Sequence, residues 1–374
     1  MVYLDYSATT PVNEEVIATY SEACRKYIGN PNSIHKLGRE SKEAIDNATS
    51  KIAKLLNIKE SEIIYTSGAS EANNTIIKGI AAKHSKGRII TTQLEHSSVI
   101  APCSYLGNKG YDIQFVKLNK DGQVDLDNLK ELIDDNTILV SIAGVNSELG
   151  IKEPLLEISK IVHEHEGCIF HSDMTQCLGK IPVDLSYVDV VSFSAQKFYG
   201  MKGIGFIYKK EGISFEPLIH GGKSTTVYRS GTPALPLILS LEKALTLAYQ
   251  NAEEKLEHVK NLNNYLLTKL RKLDVDINST EKSIYHIVNF SLREIDNKEM
   301  LKSLEQDDIY LSTQTACALG NYSLAIYSLY NDTKRASSSM RVSISYLTTK
   351  EEIDYFINSL QKNIALLGGN HESN

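Results

Sequence analysis

The alternation of short apolar runs with amphipathic helical patterns limits the fold of this chain more than any other feature. Segments that read as strands lie at 63–66, 88–91, 113–116, 137–142, 168–171, 189–193 and 205–208. Helical patterns lie between most of them, near 36–57, 70–84, 96–109, 125–134 and 154–166. Several strand segments are almost continuously apolar, as is typical of strands covered on both faces. The order predicts an α/β domain with a mainly parallel sheet, and ligand groups clustered beyond the strand ends.

The last third of the chain follows a different order, which predicts a second domain. A long helical pattern covers about 234–273, followed by a strand at 284–290, a helix near 297–306, a strand at 340–345 and a helix near 350–366. With 374 residues, the chain is also long for a single core. We expect a large domain over 14–250 and a small α+β domain over 251–374, to which the N-terminal segment 1–13 is added.

Composition and charge argue against several classes of function. The chain is 42% hydrophobic and 23% charged and carries a net charge of −6, so its overall charge gives no reason to bind nucleic acid or an anionic membrane. No segment reaches the roughly 18 to 20 apolar residues that cross a bilayer. The first residues lack the basic and apolar regions of a signal peptide. The 5 cysteines form no CxxC pair and read as reduced thiols. We expect a cytoplasmic protein.

A lysine and an acid follow two successive strand segments. Asp173 comes at the end of the segment 168–173, and Lys197 follows the segment 189–193. Pyridoxal phosphate needs such a pair, because the amine forms a Schiff base and the acid keeps the pyridine nitrogen protonated. On these two residues alone, a surface lysine and an acid that caps a helix explain the pattern equally well.

Further motifs along nearly the whole chain decide between these explanations. They lie at 4–11, 30–35, 66–73, 95–96, 145–150, 173–176, 192–194, 197–200, 220–222, 229–232, 316–317 and 341. In this order they resemble the NifS/IscS-like cysteine desulfurases of the class V aminotransferase superfamily. The resemblance implies an aminotransferase-like large domain, pyridoxal 5′-phosphate as cofactor, L-cysteine as substrate and a homodimer.

The resemblance assigns many of the motif residues to the cofactor. Lys197 is implied as the Schiff-base lysine, Asp173 as the partner of the pyridine nitrogen and Gln176 as a donor to the phenolate oxygen. The other implied contacts are Ala69, Ser70, His96, Asn146, Ser194, Gln196 and, from the second subunit, Thr232. The small residues at 68–70 follow a strand and open a helix, where backbone N–H groups can approach phosphate. Without the resemblance, a plain strand–helix turn with a serine cap is the more common explanation.

Three residues have implied roles in the reaction or in substrate binding. His96 would stack on the cofactor ring and move protons, and imidazole titrates in a useful range for that task. Arg341 would hold the substrate carboxylate with two parallel hydrogen bonds, and Asn146 would contact both substrate and cofactor. Without the resemblance, a lone histidine and a strand arginine are more often structural. His163 and His165 lie on different faces of a helix, and we expect no metal.

Cys317 carries the implied sulfur chemistry. It would attack the substrate sulfur and keep it as a persulfide while L-alanine is released. The surrounding segment 311–323 is polar and contains glycine, so we expect a loop that collects and delivers sulfur. An ordinary buried cysteine is the competing interpretation. The implied partner is a sulfur-acceptor protein, either an iron–sulfur scaffold or a tRNA-thiolation enzyme.

The chain departs from the family pattern at several positions. Gln196 stands where histidine usually precedes the Schiff-base lysine, and Met174 and Met201 replace alanine and proline. The residues around Cys317 also differ from the family's usual Ser-Gly-Ser-Ala-Cys-Thr-Ser run. We therefore expect a specialised desulfurase. The alternatives are a selenocysteine lyase or an aminotransferase on the same scaffold, and a catalytically weak partner that activates a sulfur-transfer system.

Overall fold

A computed structural model describes residues 1–313 and 322–368 of the chain. The strands are β1 (Val2–Tyr3), β2 (Ile63–Thr66), β3 (Arg88–Thr91), β4 (Asp112–Phe115), β5 (Thr137–Ser141), β6 (Ile169–Asp173), β7 (Val190–Ser194), β8 (Gly205–Lys209), β9 (Asp276–Ile277), β10 (Ile287–Ser291), β11 (Ile309–Tyr310) and β12 (Ser339–Ser343). The helices are α1 (Glu14–Lys26), α2 (Lys36–Leu56), α3 (Ala69–Ala81), α4 (Ser97–Gly107), α5 (Leu126–Leu132), α6 (Leu155–Val162), α7 (Leu235–Tyr249), α8 (Ala252–Leu270), α9 (Asn297–Gln306), α10 (Leu324–Tyr330), α11 (Thr333–Ser337) and α12 (Lys350–Gly368). Cys317 lies outside the described residues.

A 7-stranded sheet with the order β2-β8-β7-β6-β5-β3-β4 forms the centre of the larger part of the molecule. Strands β4, β3, β5, β6 and β7 are parallel, whereas β8 is antiparallel to both β7 and β2. The predicted α/β class with a mainly parallel mixed sheet is therefore confirmed. The strand order reverses between β3 and β5, and ligands of such sheets bind beyond the carboxyl ends of the strands at this point.

The second part of the molecule has its own core under a 3-stranded antiparallel sheet, β12-β10-β9. Helices α8, α9 and α12 contribute apolar side chains to this core. Val2 and Leu4 belong to it as well, because β1 pairs in parallel with β11. The arrangement is the α+β unit expected from the sequence, while its boundary near residue 250 stays a prediction.

The long helical pattern over 234–273 is divided into two helices. Asn251 adopts a left-handed backbone with φ of 53° between α7 and α8, and asparagine tolerates this conformation better than most residues. Helix α7 packs in the core of the large sheet, whereas α8 packs in the second core. The break therefore leads the chain from one core to the other. None of the described helices is both long and apolar enough to cross a membrane.

Candidate active site

One cavity of about 380 Å³ brings together nearly all of the predicted site residues. Those in its wall are Ala69, Ser70, His96, Asn146, Asp173, Gln176, Ser194, Gln196, Lys197 and Arg341. Thr232 is exposed and is not part of this wall, so its contact across a subunit interface stays a prediction. Cys317, the predicted nucleophile, falls outside the described residues.

The N-terminus of α3 faces the cavity without a capping side chain. Gly68 caps the helix at φ of 150°, a conformation that residues with a side chain rarely adopt. A Cβ on Gly68 would lie 3.4 Å from the Ser194 hydroxyl oxygen, and a Cβ on Gly205 would lie 2.8 Å from the Gly68 Cα. Backbone and hydroxyl thus form a tight cradle at a helix N-terminus, which suits a phosphate group.

Glu71 lies in the first turn of the same helix, and an arginine balances its negative charge. Arg229 Nε donates to Glu71 Oε1 at 3.0 Å, and the Ser67 N–H donates to Oε2 at 2.8 Å. Burial raises the pKa of Glu71, but the hydrogen bonds from Arg229 and Ser67 outweigh it and lower the pKa overall. The carboxylate is thus ionised and paired, and its charge opposes an incoming phosphate less. The ion pair also anchors the loop that carries Thr232.

Lys197 lies on a short 3₁₀ turn directly after β7, where the N-terminal segment holds it. Its Nζ donates to the carbonyl oxygens of Ser7 at 2.8 Å and Ala8 at 2.6 Å. The Thr10 N–H donates to the Gln196 carbonyl at 2.9 Å, which also ties the N-terminal segment to the residue before Lys197. These contacts position the Lys197 amine in the cavity wall.

Asp173, the last residue of β6, is oriented by Asn73, which sequence reasoning missed. Asn73 Nδ2 donates to Asp173 Oδ2 and to Ser98 Oγ, both at 2.8 Å, and Ser192 Oγ donates to Asn73 Oδ1. The Thr175 N–H donates to the other Asp173 oxygen at 3.0 Å. Asn73 lies within the motif 66–73, and this membership was the available signal in the sequence, since its full burial is known only from the structure.

His96 caps α4 and joins the same network. Its Nδ1 accepts the Ser98 N–H at 3.1 Å and lies 2.8 Å from the Ser98 hydroxyl. Because a backbone N–H donates to Nδ1, the neutral ring carries its proton on Nε2. Burial lowers the pKa of His96 and Lys197 lowers it further, against the opposing effect of Asp173. The ring is thus neutral at pH 7 and leaves Nε2 for a ligand.

His171 stands behind this network and was also missed from the sequence. Ser141 Oγ lies 2.8 Å from its Nδ1, and Ser192 Oγ lies 3.1 Å from its Nε2. Burial lowers the pKa of His171 to about 4, so the ring is neutral. His171 precedes Asp173 by two residues on one strand, and the two side chains share a face of the sheet. A buried chain of hydrogen bonds therefore runs from Ser141 to Asp173.

Asn146 lies in the cavity wall, but its side-chain amide already makes hydrogen bonds to backbone groups of neighbouring loops. Its Oδ1 accepts the N–H groups of Glu148 at 2.9 Å and Leu149 at 2.7 Å. Its Nδ2 donates to the Leu94 carbonyl at 2.8 Å. The second hydrogen of its amide nitrogen remains for a ligand. Asn146 could therefore stabilise the turn that follows it and also contact a bound molecule.

Arg341 reaches the cavity from β12 of the second unit and is only 2% exposed. Its Nη2 donates to Asp5 Oδ1 at 2.7 Å and its Nη1 to the Ser147 carbonyl at 2.9 Å. The buried guanidinium is therefore compensated by Asp5, while its Nε–H is buried and has no partner among the described residues.

The structure gives no metal site in the described ranges 1–313 and 322–368, where no group of three or more His, Cys, Asp or Glu side chains could hold an ion. His163, one of the two histidines of the HxH pair, binds Asp189 instead, with 2.9 Å between Nε2 and Oδ2.

Comparisons with known proteins identify the family. Residues 2–356 match the model of the family described as aminotransferase class-V. A cysteine desulfurase IscS from Dictyoglomus turgidum is 37% identical, over 98% of this chain and 95% of its own. Among solved structures, a NifS-like protein superposes with a TM-score of 0.93 at 34% identity, covering 98% of this chain and 100% of that chain. The structure of SspA in complex with cysteine superposes with a TM-score of 0.82 at 29% identity, covering 93% and 100%. The chain therefore belongs to the cysteine desulfurases of the class-V aminotransferase family, which are pyridoxal phosphate enzymes.

Proposed function

We propose that this protein is a pyridoxal phosphate-dependent cysteine desulfurase that converts L-cysteine to L-alanine and passes the sulfur onward through Cys317. The observation that carries the proposal is the single cavity in which an amine, an acid, an imidazole and a guanidinium meet the N-terminus of α3. Membership in the desulfurase family supports the same chemistry.

The described residues fit the cofactor. The cradle formed by Gly68, the first turn of α3 and Ser194 would hold the phosphate, Asp173 would face the pyridine nitrogen, and Lys197 would carry the aldehyde carbon. When bound, pyridoxal phosphate supplies an electron-withdrawing ring that stabilises negative charge at the substrate α-carbon. The remaining chemistry depends on the side chains around it.

Substrate binding and proton transfer fall to separate groups. Arg341 would bind the α-carboxylate of L-cysteine through its terminal nitrogens, which now donate to Asp5 and to the Ser147 carbonyl. Lys197 Nζ would exchange protons at the α-carbon, since the Ser7 and Ala8 carbonyls stabilise its ammonium form. His96 would act at the sulfur end through Nε2.

Cys317 would complete the reaction as a nucleophile. Its thiolate attacks the substrate sulfur, a new S–S bond forms and the Cβ–S bond breaks. The electron pair of the broken bond remains on the substrate carbon, which takes up a proton and leaves as L-alanine. The sulfur stays on Cys317 as a persulfide for a thiol of the acceptor protein.

The test is incubation of the purified protein with pyridoxal phosphate and L-cysteine, with L-alanine and protein-bound sulfane sulfur measured together. We expect equal amounts of both in the first turnover, and no bound sulfane sulfur in Cys317→Ser. A keto acid in place of alanine would point to an aminotransferase. Undiminished sulfur transfer by Cys317→Ser would refute the role of Cys317.

The homodimer and the acceptor belong to the same proposal. Thr232 is exposed on a loop with the apolar side chains of Leu218, Ile219 and Val227, which are 41%, 40% and 58% exposed. A second copy that covers this loop would bring Thr232 to the phosphate of its partner. An iron–sulfur scaffold or a tRNA-thiolation enzyme would then take the sulfur. Light scattering tests the dimer, and transfer of labelled sulfur to each acceptor tests the partner.

A further inference from the structure

We propose that Lys180 is a positioning residue for Gln176: it turns the Gln176 amide nitrogen toward the cavity and places a positive charge behind the ring oxygen of the cofactor. The inference rests on the proposed function, because it concerns the same cavity and the same cofactor.

Both residues lie on one turn that follows β6. The Lys180 side chain is buried, and its Nζ donates to Gln176 Oε1, four residues earlier. Gly179 between them has φ of 74°, and a Cβ there would lie only 2.8 Å from the Cβ of Phe198. The turn is therefore packed directly against the residue that follows Lys197, which fixes Lys180 relative to the amine.

The bond from Lys180 and the bond to the Ser7 carbonyl together fix the orientation of the Gln176 amide. An ammonium group has three donors and no acceptor, so only the amide oxygen can face it. The amide nitrogen then points away from Lys180, and it donates one hydrogen to the Ser7 carbonyl at 2.9 Å. Its second hydrogen is left for an acceptor in the cavity. Without Lys180, the opposite orientation of the amide would lose no partner on that side.

The charge on Lys180 has no carboxylate to balance it within the part of the chain that the structure describes. No ion pair there includes Lys180. The titratable groups that face it are Lys197, Cys177, Arg341 and His286. Burial raises the pKa of Cys177 to about 12 and lowers that of His286 to about 3, so both are neutral. Burial, and then the charge of Lys197, lowers the pKa of Lys180 itself to about 7. An anion nearby, such as a phenolate oxygen, would therefore be needed to hold Lys180 in its ammonium form.

Lys180 also borders a second cavity, and Lys197 lies in the walls of both cavities. That cavity has a volume of about 220 Å³, and its further titratable side chains are Tyr6, Tyr199, Tyr249, Tyr346, Glu253 and Lys255. Glu253 is the acid among them, and it lies at the exposed start of α8. Since no ion pair among the described residues includes Lys180, a ligand bound on the Gln176 side would supply its anion.

The experiment compares the wild type with Lys180→Met and Lys180→Gln after each has been loaded with pyridoxal phosphate. The visible absorbance is followed over pH. The pH midpoint of its change reports the loss of the proton on the nitrogen that joins Lys197 to the cofactor. A cation nearby disfavours that proton, so its removal raises the midpoint, by about one pH unit for Lys180→Met. Lys180→Gln also removes the charge and carries the test if the methionine variant fails to fold.

Lys209→Met is the matched control, because Lys209 is another buried lysine, remote from the cavity, which donates to the Ile213 carbonyl at 2.9 Å. Its midpoint should equal that of the wild type. Gln176→Leu and the double variant with Lys180→Met test whether Lys180 acts through Gln176. The double variant should shift by clearly less than the sum of the single shifts.

The outcomes separate the inference from the function on which it rests. If the wild type takes up no pyridoxal phosphate, the proposed function itself fails. If it develops the visible band and both Lys180 variants keep the midpoint of Lys209→Met, only the role of Lys180 is overturned. Fully additive shifts in the double variant would likewise overturn positioning through Gln176.

Discussion

At the scale of single residues, the site is a set of side chains held by other buried side chains. Asp173 and His96 do not contact each other in the hydrogen-bond network, but both are linked to Asn73, directly or through Ser98. A change at Asn73 therefore alters the acid and the imidazole together. The outer partners of catalytic groups commonly have this effect, because they fix orientation and protonation.

Asn73→Ala should weaken the binding of pyridoxal phosphate about tenfold, because an orphaned buried acceptor on Asp173 costs about 1–3 kcal/mol. Equilibrium titration of the cofactor, followed by its visible absorbance, measures this. Asn74→Ala is the control on the same helix, since Asn74 Nδ2 only bonds the Ser70 carbonyl at 3.0 Å. Equal affinities of the two variants would contradict the role of Asn73.

The site residues that were predicted from the sequence differ from those that were missed, because the missed ones act through hydrogen bonds to distant residues. Lys197, Asp173 and Arg341 stand in short motifs, and the ordered set of motifs along the chain, rather than any one of them, points to their chemistry. Asn73 acts through a hydrogen bond with Ser192 on β7, and His171 through one with Ser141 on β5. These bonds exist only after the sheet has formed. A single sequence contains no trace of such pairings, apart from the presence of a polar residue in an apolar run.

At the scale of elements, Glu95 ties the loop after β3 to the loop after β5. Its Oε1 accepts the Ala143 N–H at 2.8 Å and the Thr92 hydroxyl at 3.1 Å, while its Oε2 is buried and has no partner in the part of the chain that the structure describes. Burial raises the pKa of Glu95 to about 8. The folded state thus prefers the protonated acid at the place where the strand order reverses and the cavity opens.

The raised pKa of Glu95 makes stability depend on pH. Its contribution is complete below the unfolded pKa near 4.5 and is lost as pH rises through about 8, because ionisation is then easier in the unfolded chain. Glu95→Gln should remove this loss and stabilise the protein at pH 8 by up to about 4 kcal/mol, because each unit of pKa difference corresponds to about 1.4 kcal/mol. Denaturant unfolding at pH 5 and pH 8 measures the change.

Glu153 is buried too, and burial likewise raises its pKa to about 8, so part of the pH dependence remains in Glu95→Gln. Glu281→Gln serves as the control, since Glu281 is exposed. If Glu95→Gln and Glu281→Gln show the same change between pH 5 and pH 8, Glu95 does not have the role assigned to it.

The elements themselves were largely predictable, because buried parallel strands appear as continuous apolar runs. The sequence patterns placed the strands of the large sheet close to their observed positions. Helix α1 was missed, although Asn13 accepts the Glu15 N–H as its cap and two acids follow it. Strand β1 was not predictable from a local pattern, since it has 2 residues and pairs with β11 at the far end of the chain.

At the scale of the whole molecule, the N-terminal segment joins the two cores. Val2 and Leu4 pack in the second core, Asp5 pairs with Arg341, and the carbonyls of Ser7 and Ala8 hold Lys197. The cavity is thus closed by a segment that belongs to neither the large sheet nor the C-terminal helices. Its contacts connect the predicted substrate clamp to the predicted cofactor lysine.

Asp5→Ala should destabilise the protein by about 3 kcal/mol, because it leaves the buried Arg341 guanidinium without its counter-charge. Denaturant unfolding measures the change, and a small carboxylate such as L-alanine should restore part of the loss. Asp308→Ala is the control: Asp308 pairs with the amino group of Met1, and both partners are largely exposed. That pair should contribute at most about 1 kcal/mol. Equal losses in the two variants would contradict this account.

The N-terminal segment also has a consequence for the order in which the chain is synthesised. Its residues are synthesised well before β11 and Arg341, its partners, which come much later in the chain. A nascent chain can complete the large sheet while the carbonyl groups that hold the lysine still have no fixed place. The active-site cavity can therefore be complete only after residue 341 has been translated. Translation products that end before it would be inactive.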